Sequence, residues 1–269
     1  MEEEGRRGSV LTVFSTASAV GKTLIAINMA AELVRENYRV ALVDFDMQFG
    51  DVANYLALPH EKTIYDAQQA AKDNAEGFSA KDFMTPYAYK NWTFDVLPCP
   101  DNLDQAYNMS PKAVEHILSD IQYNYDFVVV DTTSAFSELN LALMDASTII
   151  TFLGIVDFIP TIKNMKIGCD TIRNLGYEGS KVRLVLNRAK SKTKIDLADV
   201  EALLDEPFYH ILPNAFEAAT ESIEKGIPIV FTSDNNLSMD LKNLVRKYTN
   251  REQTEEEKAG GWFSKLFSK

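Results

Sequence analysis

The stretch Val10-Leu11-Thr12-Val13-Phe14-Ser15-Thr16-Ala17-Ser18-Ala19-Val20-Gly21-Lys22-Thr23 decides the fold. Its opening is apolar and rich in β-branched residues, which predicts a buried strand from Val10 to Ser15. A loop of small residues follows, and a helix is predicted from Lys22 to Glu36. Strand, loop and helix in that order form the setting in which Gly-Lys-Thr becomes a phosphate-binding loop. Gly21 lets the backbone approach an anion closely. The first N–H groups of the helix, and its dipole, favour phosphate. Lys22 then reaches the outer phosphates, and Thr23 places its hydroxyl on Mg²⁺. The motif is incomplete, because Thr16 stands where a full loop opens with glycine. An ordinary helix start, with Thr23 in its first turn, gives the same tripeptide without a ligand.

Working outward, Arg39 to Val43 reads as the second strand, followed by an acidic loop from Asp44 to Asp51. Strand C-terminal ends face the ligand crevice in a doubly wound sheet, so Asp44 and Asp46 are candidates to face one ligand. One of them is suited to orient water on Mg²⁺ and the other to position an attacking water. A solvated loop or a helix cap is the competing reading. Asp131 closes the buried run Phe127-Val128-Val129-Val130 and fits a metal-supporting acid. Capping the next helix is its alternative role. Three strand ends thus carry a phosphate loop, an acid pair and a third acid, in the order that phosphoryl chemistry uses.

Further strands are predicted at Thr93–Leu97, Ser147–Leu153, Val182–Leu186 and Phe208–Leu212. Helices are predicted near 135–145, 158–175, 214–225 and 237–249, and Pro111 opens another, where its missing N–H costs nothing. Residues 59–92 read as mixed, polar and helical. Strands alternating with helices give an α/β fold, a three-layer doubly wound, mainly parallel sheet.

The 269 residues are 46% hydrophobic, enough for one large domain with a substantial core. The net charge of −12 argues against an electrostatic grip on nucleic acid. Lys190, Lys192 and Lys194 form a small basic cluster, read as a solvated loop. Cys99 and Cys169 are the only cysteines, too few for a disulfide framework, and are read as reduced thiols of a cytosolic protein. No apolar run approaches the roughly 18 residues of a membrane-spanning helix. The charged start, residues 1–8, is expected to be a disordered lead-in and not a secretory signal.

Several segments resemble the MinD/ParA family of deviant P-loop ATPases, and within it the CpaE/TadZ branch, which localises Flp-type pilus assembly. They are Leu42-Val43-Asp44-Phe45-Asp46-Met47-Gln48-Phe49-Gly50-Asp51-Val52 and Tyr125-Asp126-Phe127-Val128-Val129-Val130-Asp131, which leads into Ser134-Ala135-Phe136-Ser137-Glu138. Val185-Leu186-Asn187-Arg188, Leu212-Pro213-Asn214 and Gly226-Ile227-Pro228 match later family motifs. The resemblance covers about residues 10–248 of a P-loop ATPase-like domain expected over 9–248, and it implies ATP and Mg²⁺ as cofactors. It implies Ser18, Ala19, Val20, Gly21, Lys22 and Thr23 around the phosphates, and Asn187 with Pro213 at the adenine. Asp46 is implied at the attacking water with Asp44 beside it, and Thr23, Asp46 and Asp131 at the metal. A nucleotide-dependent homodimer is implied as well.

The chain departs from the family at the loop. The family's signature lysine falls at Ala17, and Thr16, Ser18 and Ala19 replace expected glycines. Losing that lysine removes positive charge from a site where phosphoryl-transfer charge is stabilised electrostatically. Slow hydrolysis, or binding without turnover, is therefore expected. The branch's receiver-like N-terminal domain is not expected here, because the first strand begins at Val10.

Residues 249–261 read as an acidic linker, and residues 262–269 as an amphipathic tail. On a helix, Trp262, Phe263, Leu266 and Phe267 share a face flanked by Lys265 and Lys269, which suits a lipid headgroup boundary. Packing on its own domain or on a protein is the alternative. The expectation is a switch and scaffold at the inner face of the cell membrane, serving pilus or secretion machinery. A non-hydrolysing scaffold and MinD-like division-site selection remain open, while a metabolic ligase lacks a second set of substrate residues.

Overall fold

The computed structural model describes residues 7–189, 195–232 and 234–250. Its strands are β1 (Ser9–Phe14), β2 (Val40–Phe45), β3 (Thr85–Tyr89), β4 (Trp92–Leu97), β5 (Phe127–Thr132), β6 (Ile149–Gly154), β7 (Val182–Ala189) and β8 (His210–Pro213). They form an eight-stranded sheet in the order β3-β4-β2-β5-β1-β6-β7-β8. All neighbours are parallel except β3 and β4, which pair antiparallel.

The helices are α1 (Lys22–Arg35), α2 (Val52–Tyr55), α3 (Ile64–Asp73), α4 (Leu103–Tyr107), α5 (Pro111–Asn124), α6 (Glu138–Ala146), α7 (Ile159–Asn174), α8 (Leu197–Leu204), α9 (Phe216–Lys225), α10 (Ile229–Thr232) and α11 (Asn236–Thr249). Strand alternation sorts them into two layers. Leu11 and Val13 of β1 pack with α1, α10 and α11 on one face. Val10 packs with α3 and α5 on the other, where Phe14 joins α7 and α8. β1, β2 and β5 are apolar on both sides because each side meets helices. The expected three-layer doubly wound fold is what the chain adopts.

Local signals set the helix starts. Ser110 Oγ accepts from Ala113 N at 3.3 Å, with Pro111 next in the chain. Thr63 and Asp66 make a reciprocal capping box at α3.

Some expectations are corrected. Residues 59–92, read as helical, hold α3, a short 3₁₀ turn (Ala80–Phe83) and all of β3. Asp44 lies inside β2 instead of following it. Helix α8 went unread. Arg7 and Gly8, expected in a disordered lead-in, are bonded to α5 through Tyr123 Oη at 2.7 Å and Gln122 O at 2.7 Å. Helix α11 runs to Thr249, so the linker does not begin before Asn250. The basic cluster Lys190, Lys192 and Lys194, and the tail residues Trp262, Phe263, Lys265, Leu266 and Phe267, lie outside the described residues. Among the described residues no helix is long and apolar enough to cross a membrane.

Candidate functional site

The loop from Ser15 to Gly21 joins the C-terminal end of β1 to the N-terminus of α1. Gly21 sits at φ 99°, a left-handed conformation in which a Cβ is strained. A Cβ there would also lie 2.7 Å from Asn187 Nδ2. Ala19 adopts φ 57°, so one of the replaced glycines carries its Cβ in a left-handed turn. That costs roughly 1–2 kcal/mol.

Thr23 Oγ1 donates to Asp131 Oδ2 at 2.6 Å. Asp131 is fully buried, and its Oδ1 has no hydrogen-bond partner. Burial pushes the Asp131 carboxyl above its usual range, against the pull of the Thr23 hydrogen bond and the Lys22 charge. Burial likewise lowers Lys22, while Asp131 and Asp46 draw it back up. Lys22 Nζ donates to Ser134 Oγ at 2.9 Å. Lys22, Thr23, Asp46 and Asp131 thus share one electrostatic neighbourhood at the strand ends.

Asp44 takes a different place from the one expected. It is fully buried and opposite Asp131 in the β2–β5 register. Asp46 N donates to its Oδ1 at 3.2 Å and Val52 N to its Oδ2 at 3.1 Å. Burial first, and then the nearby Asp131 charge, raise its carboxyl well above the usual range. Both oxygens are committed to backbone amides, so Asp44 shapes the acidic loop from beneath. Asp46 is half-buried beyond it, and its Oδ1 accepts from Phe49 N at 3.2 Å.

Asn187 makes a contact that the sequence did not indicate. Its Nδ2 donates to Val20 O at 2.8 Å, which ties β7 to the phosphate loop. Pro213 lies on the neighbouring strand, where it pairs with Ala189. Three residues to which the sequence gives no role at the site also shape it. Ser134 Oγ donates to Ala17 O at 2.9 Å, Gly50 packs on Asp44, and the Cys99 thiol points at Gly50 O at 3.7 Å. Small hydroxyls and single thiols carry no spacing signal that would have marked them. A cavity of about 230 Å³ beside Glu217, Glu221 and Lys225 lies apart from this cluster.

The donor set fits a hard divalent cation. Such ions take oxygen ligands, and Mg²⁺ keeps waters and binds through one or two carboxylates plus phosphate. The orphaned Asp131 Oδ1, the Thr23 hydroxyl and Asp46 supply that chemistry. No group of three or more His, Cys, Asp or Glu among the described residues suffices to hold an ion unaided.

The sequence model of a family described as an AAA domain, AAA_31, matches residues 8–165. The chain belongs to this AAA domain family. The matched region of the AAA domain covers the phosphate loop, the acidic loop and Asp131. The septum site-determining protein MinD of Thermotoga maritima is 21% identical over 248 residues, covering 89% of this chain and 88% of that protein. The ParA family ATPase of Chlorobium tepidum superposes with a TM-score of 0.80 at 18% identity, covering 89% of this chain and 98% of that one. MinD of Pyrococcus horikoshii, solved with Mg-ADP, gives 0.75 at 17% identity, covering 90% of this chain and 96% of that one. The expected likeness to MinD/ParA P-loop ATPases therefore holds for the fold.

Proposed function

We propose that this AAA domain is a Mg²⁺- and ATP-binding switch whose hydrolysis is slow or absent. The observation that carries the reading is the convergence of Lys22, Thr23 and the orphaned Asp131 oxygen at the mouth of the phosphate loop. Lys22 and the backbone of Ser18, Ala19, Val20 and Gly21 hold the phosphates. Thr23, Asp46 and Asp131 hold the cation, directly or through water. Bound there, Mg²⁺ supplies charge neutralisation for the phosphates. Asn187 and Pro213 flank the base, and Asn187 also fixes the loop. Asp46 orients the attacking water, held in place by the loop that Asp44 braces.

Slow turnover follows from Ala17, which brings no charge to a step governed by electrostatic stabilisation. A non-hydrolysing scaffold is the second reading, and the same alanine favours it. We further propose that the switch dimerises with nucleotide. It sits on the inner membrane face through Trp262, Phe263, Lys265, Leu266 and Phe267, and positions pilus or secretion machinery. The Gln48-Phe49-Gly50-Asp51 segment is what supports the pilus branch over division-site selection.

Equilibrium binding of Mg-ATP, with Lys22→Ala as control and molecular mass read in the same sample, tests the proposal. Saturable binding lost in the control, with a nucleotide-dependent doubling of mass, is the expected result. Absence of binding at millimolar ATP would overturn it.

A further inference from the structure

Around the phosphate loop, two serine hydroxyls converge on one carbonyl. Ser15 Oγ donates to Ala17 O at 2.7 Å, and Ser134 Oγ donates to the same atom at 2.9 Å. Each serine has a single proton, so their mutual 3.2 Å contact is secondary. With its proton on Ala17 O, the Ser134 oxygen is free to accept, and Lys22 Nζ fills it at 2.9 Å. Lys22 is 9% exposed, and desolvation already disfavours its charge. A hydrogen bond from an ammonium in such a place is stronger than an exposed one.

Ser134 stands between two segments. It belongs to the turn after β5, which Asn140 Nδ2 fastens through Thr133 Oγ1 at 2.7 Å and Ala135 O at 2.7 Å. Through Ala17 O it also fastens the phosphate loop. The ammonium that should meet phosphate is thus held by a residue outside the loop.

We propose that Ser134 is a positioning residue for Lys22, a resting partner that competes with the phosphates of the nucleotide for the lysine ammonium. The inference rests on the nucleotide-binding reading and deepens it. Phosphate entry transfers Lys22 from Ser134 to the ligand, and the turn after β5 loses one of its ties to the loop. Nucleotide occupancy is thereby reported to α6, which begins at Glu138.

The sign of the effect distinguishes this role from a structural one. Ser134→Ala removes the competitor, so Mg-ATP binds about three- to tenfold more tightly, the range of one net hydrogen bond. Ser134→Thr keeps the hydroxyl and stays near wild type. A nucleotide-free measurement accompanies these: trace acylation of lysines with acetic anhydride, quantified by mass spectrometry with Lys62 as reference. Losing the acceptor disfavours the charged ammonium, so Ser134→Ala raises Lys22 labelling. Equal or weaker Mg-ATP binding by a folded Ser134→Ala protein would overturn the proposal. If the wild type binds no Mg-ATP, the switch reading fails. The labelling then decides the Lys22–Ser134 contact, and unchanged labelling overturns it.

Discussion

Asp44 of β2 and Asp131 of β5 stand opposite each other in a parallel register, and both are fully buried. Two carboxylates in that position repel, and burial disfavours the charge on each. Their hydrogen bonds divide the labour: Asp44 takes backbone amides of the acidic loop, while Asp131 takes Thr23 and keeps one oxygen unpartnered. One acid organises the chain, and the other keeps an oxygen in reserve.

Gly50 tests that organisation. A Cβ there would lie 2.5 and 2.6 Å from the Asp44 oxygens and 2.6 Å from Cys99 Sγ. Gly50→Ala is expected to lower stability by roughly 1–3 kcal/mol, as overpacking does. Gly179→Ala, where a Cβ meets nothing within 4 Å, is the control and should stay near wild type. Urea midpoints of the two variants provide the comparison.

The metal should follow the nucleotide. Among the described residues no acidic cluster holds an ion by itself. Calorimetry with Mg²⁺ alone should show no saturable heat, while Mg²⁺ with ATP should. Thr23→Val removes the donor to Asp131 and should reduce stability by roughly 1.5–3 kcal/mol, with loss of the Mg²⁺ dependence of binding. Tight Mg²⁺ binding by the nucleotide-free protein would contradict this account.

Asn187→Ala should weaken inorganic tripolyphosphate as well as ATP. The side-chain amide holds Val20 O, so its loss loosens the phosphate loop before any base is involved. The stability cost should be about 1 kcal/mol, one net hydrogen bond. A deficit confined to ATP would return Asn187 to a purely base-reading role.

Much of this was readable in the sequence and some was not, for physical reasons. The runs of β1, β5, β6 and β7 are apolar on both faces and short, which only buried parallel strands require. The phosphate loop and Asp131 follow from their positions at strand ends. β3 was missed because Thr85-Pro86-Tyr87-Ala88-Tyr89 is a half-exposed edge strand that contains a proline. The sequence puts Asp44 in a loop because a charge usually ends a strand, and it does not reveal the amides of Asp46 and Val52 that satisfy the carboxyl. Resemblance puts Asn187 at the base, whereas its bond to Val20 depends on a contact between β7 and the loop after β1.

Stability should fall in acid through His210. Its Nε2 meets Asp240 O at 2.8 Å, and Lys247 Nζ meets its Nδ1 at 3.2 Å. A carbonyl only accepts and an ammonium only donates, so the ring is neutral with its proton on Nε2. Burial accordingly lowers its pKa. The unfolded chain takes up this proton first, near pH 6.5, so stability is full above that value and declines as pH drops below it. Urea midpoints at pH 7.5 and 5.5 should differ less in His210→Gln than in wild type.

The place of β1 has a bearing on how the protein is made. β1 is flanked by β5 and β6, and the carbonyl of Val20 is held from β7. All of these supports lie more than a hundred residues downstream. During synthesis, then, the N-terminal segment that carries Lys22 leaves the ribosome without walls, and waits for Asn187 to emerge. A truncated product ending before β5 is an unfinished sheet in which β1 has neither of its neighbours.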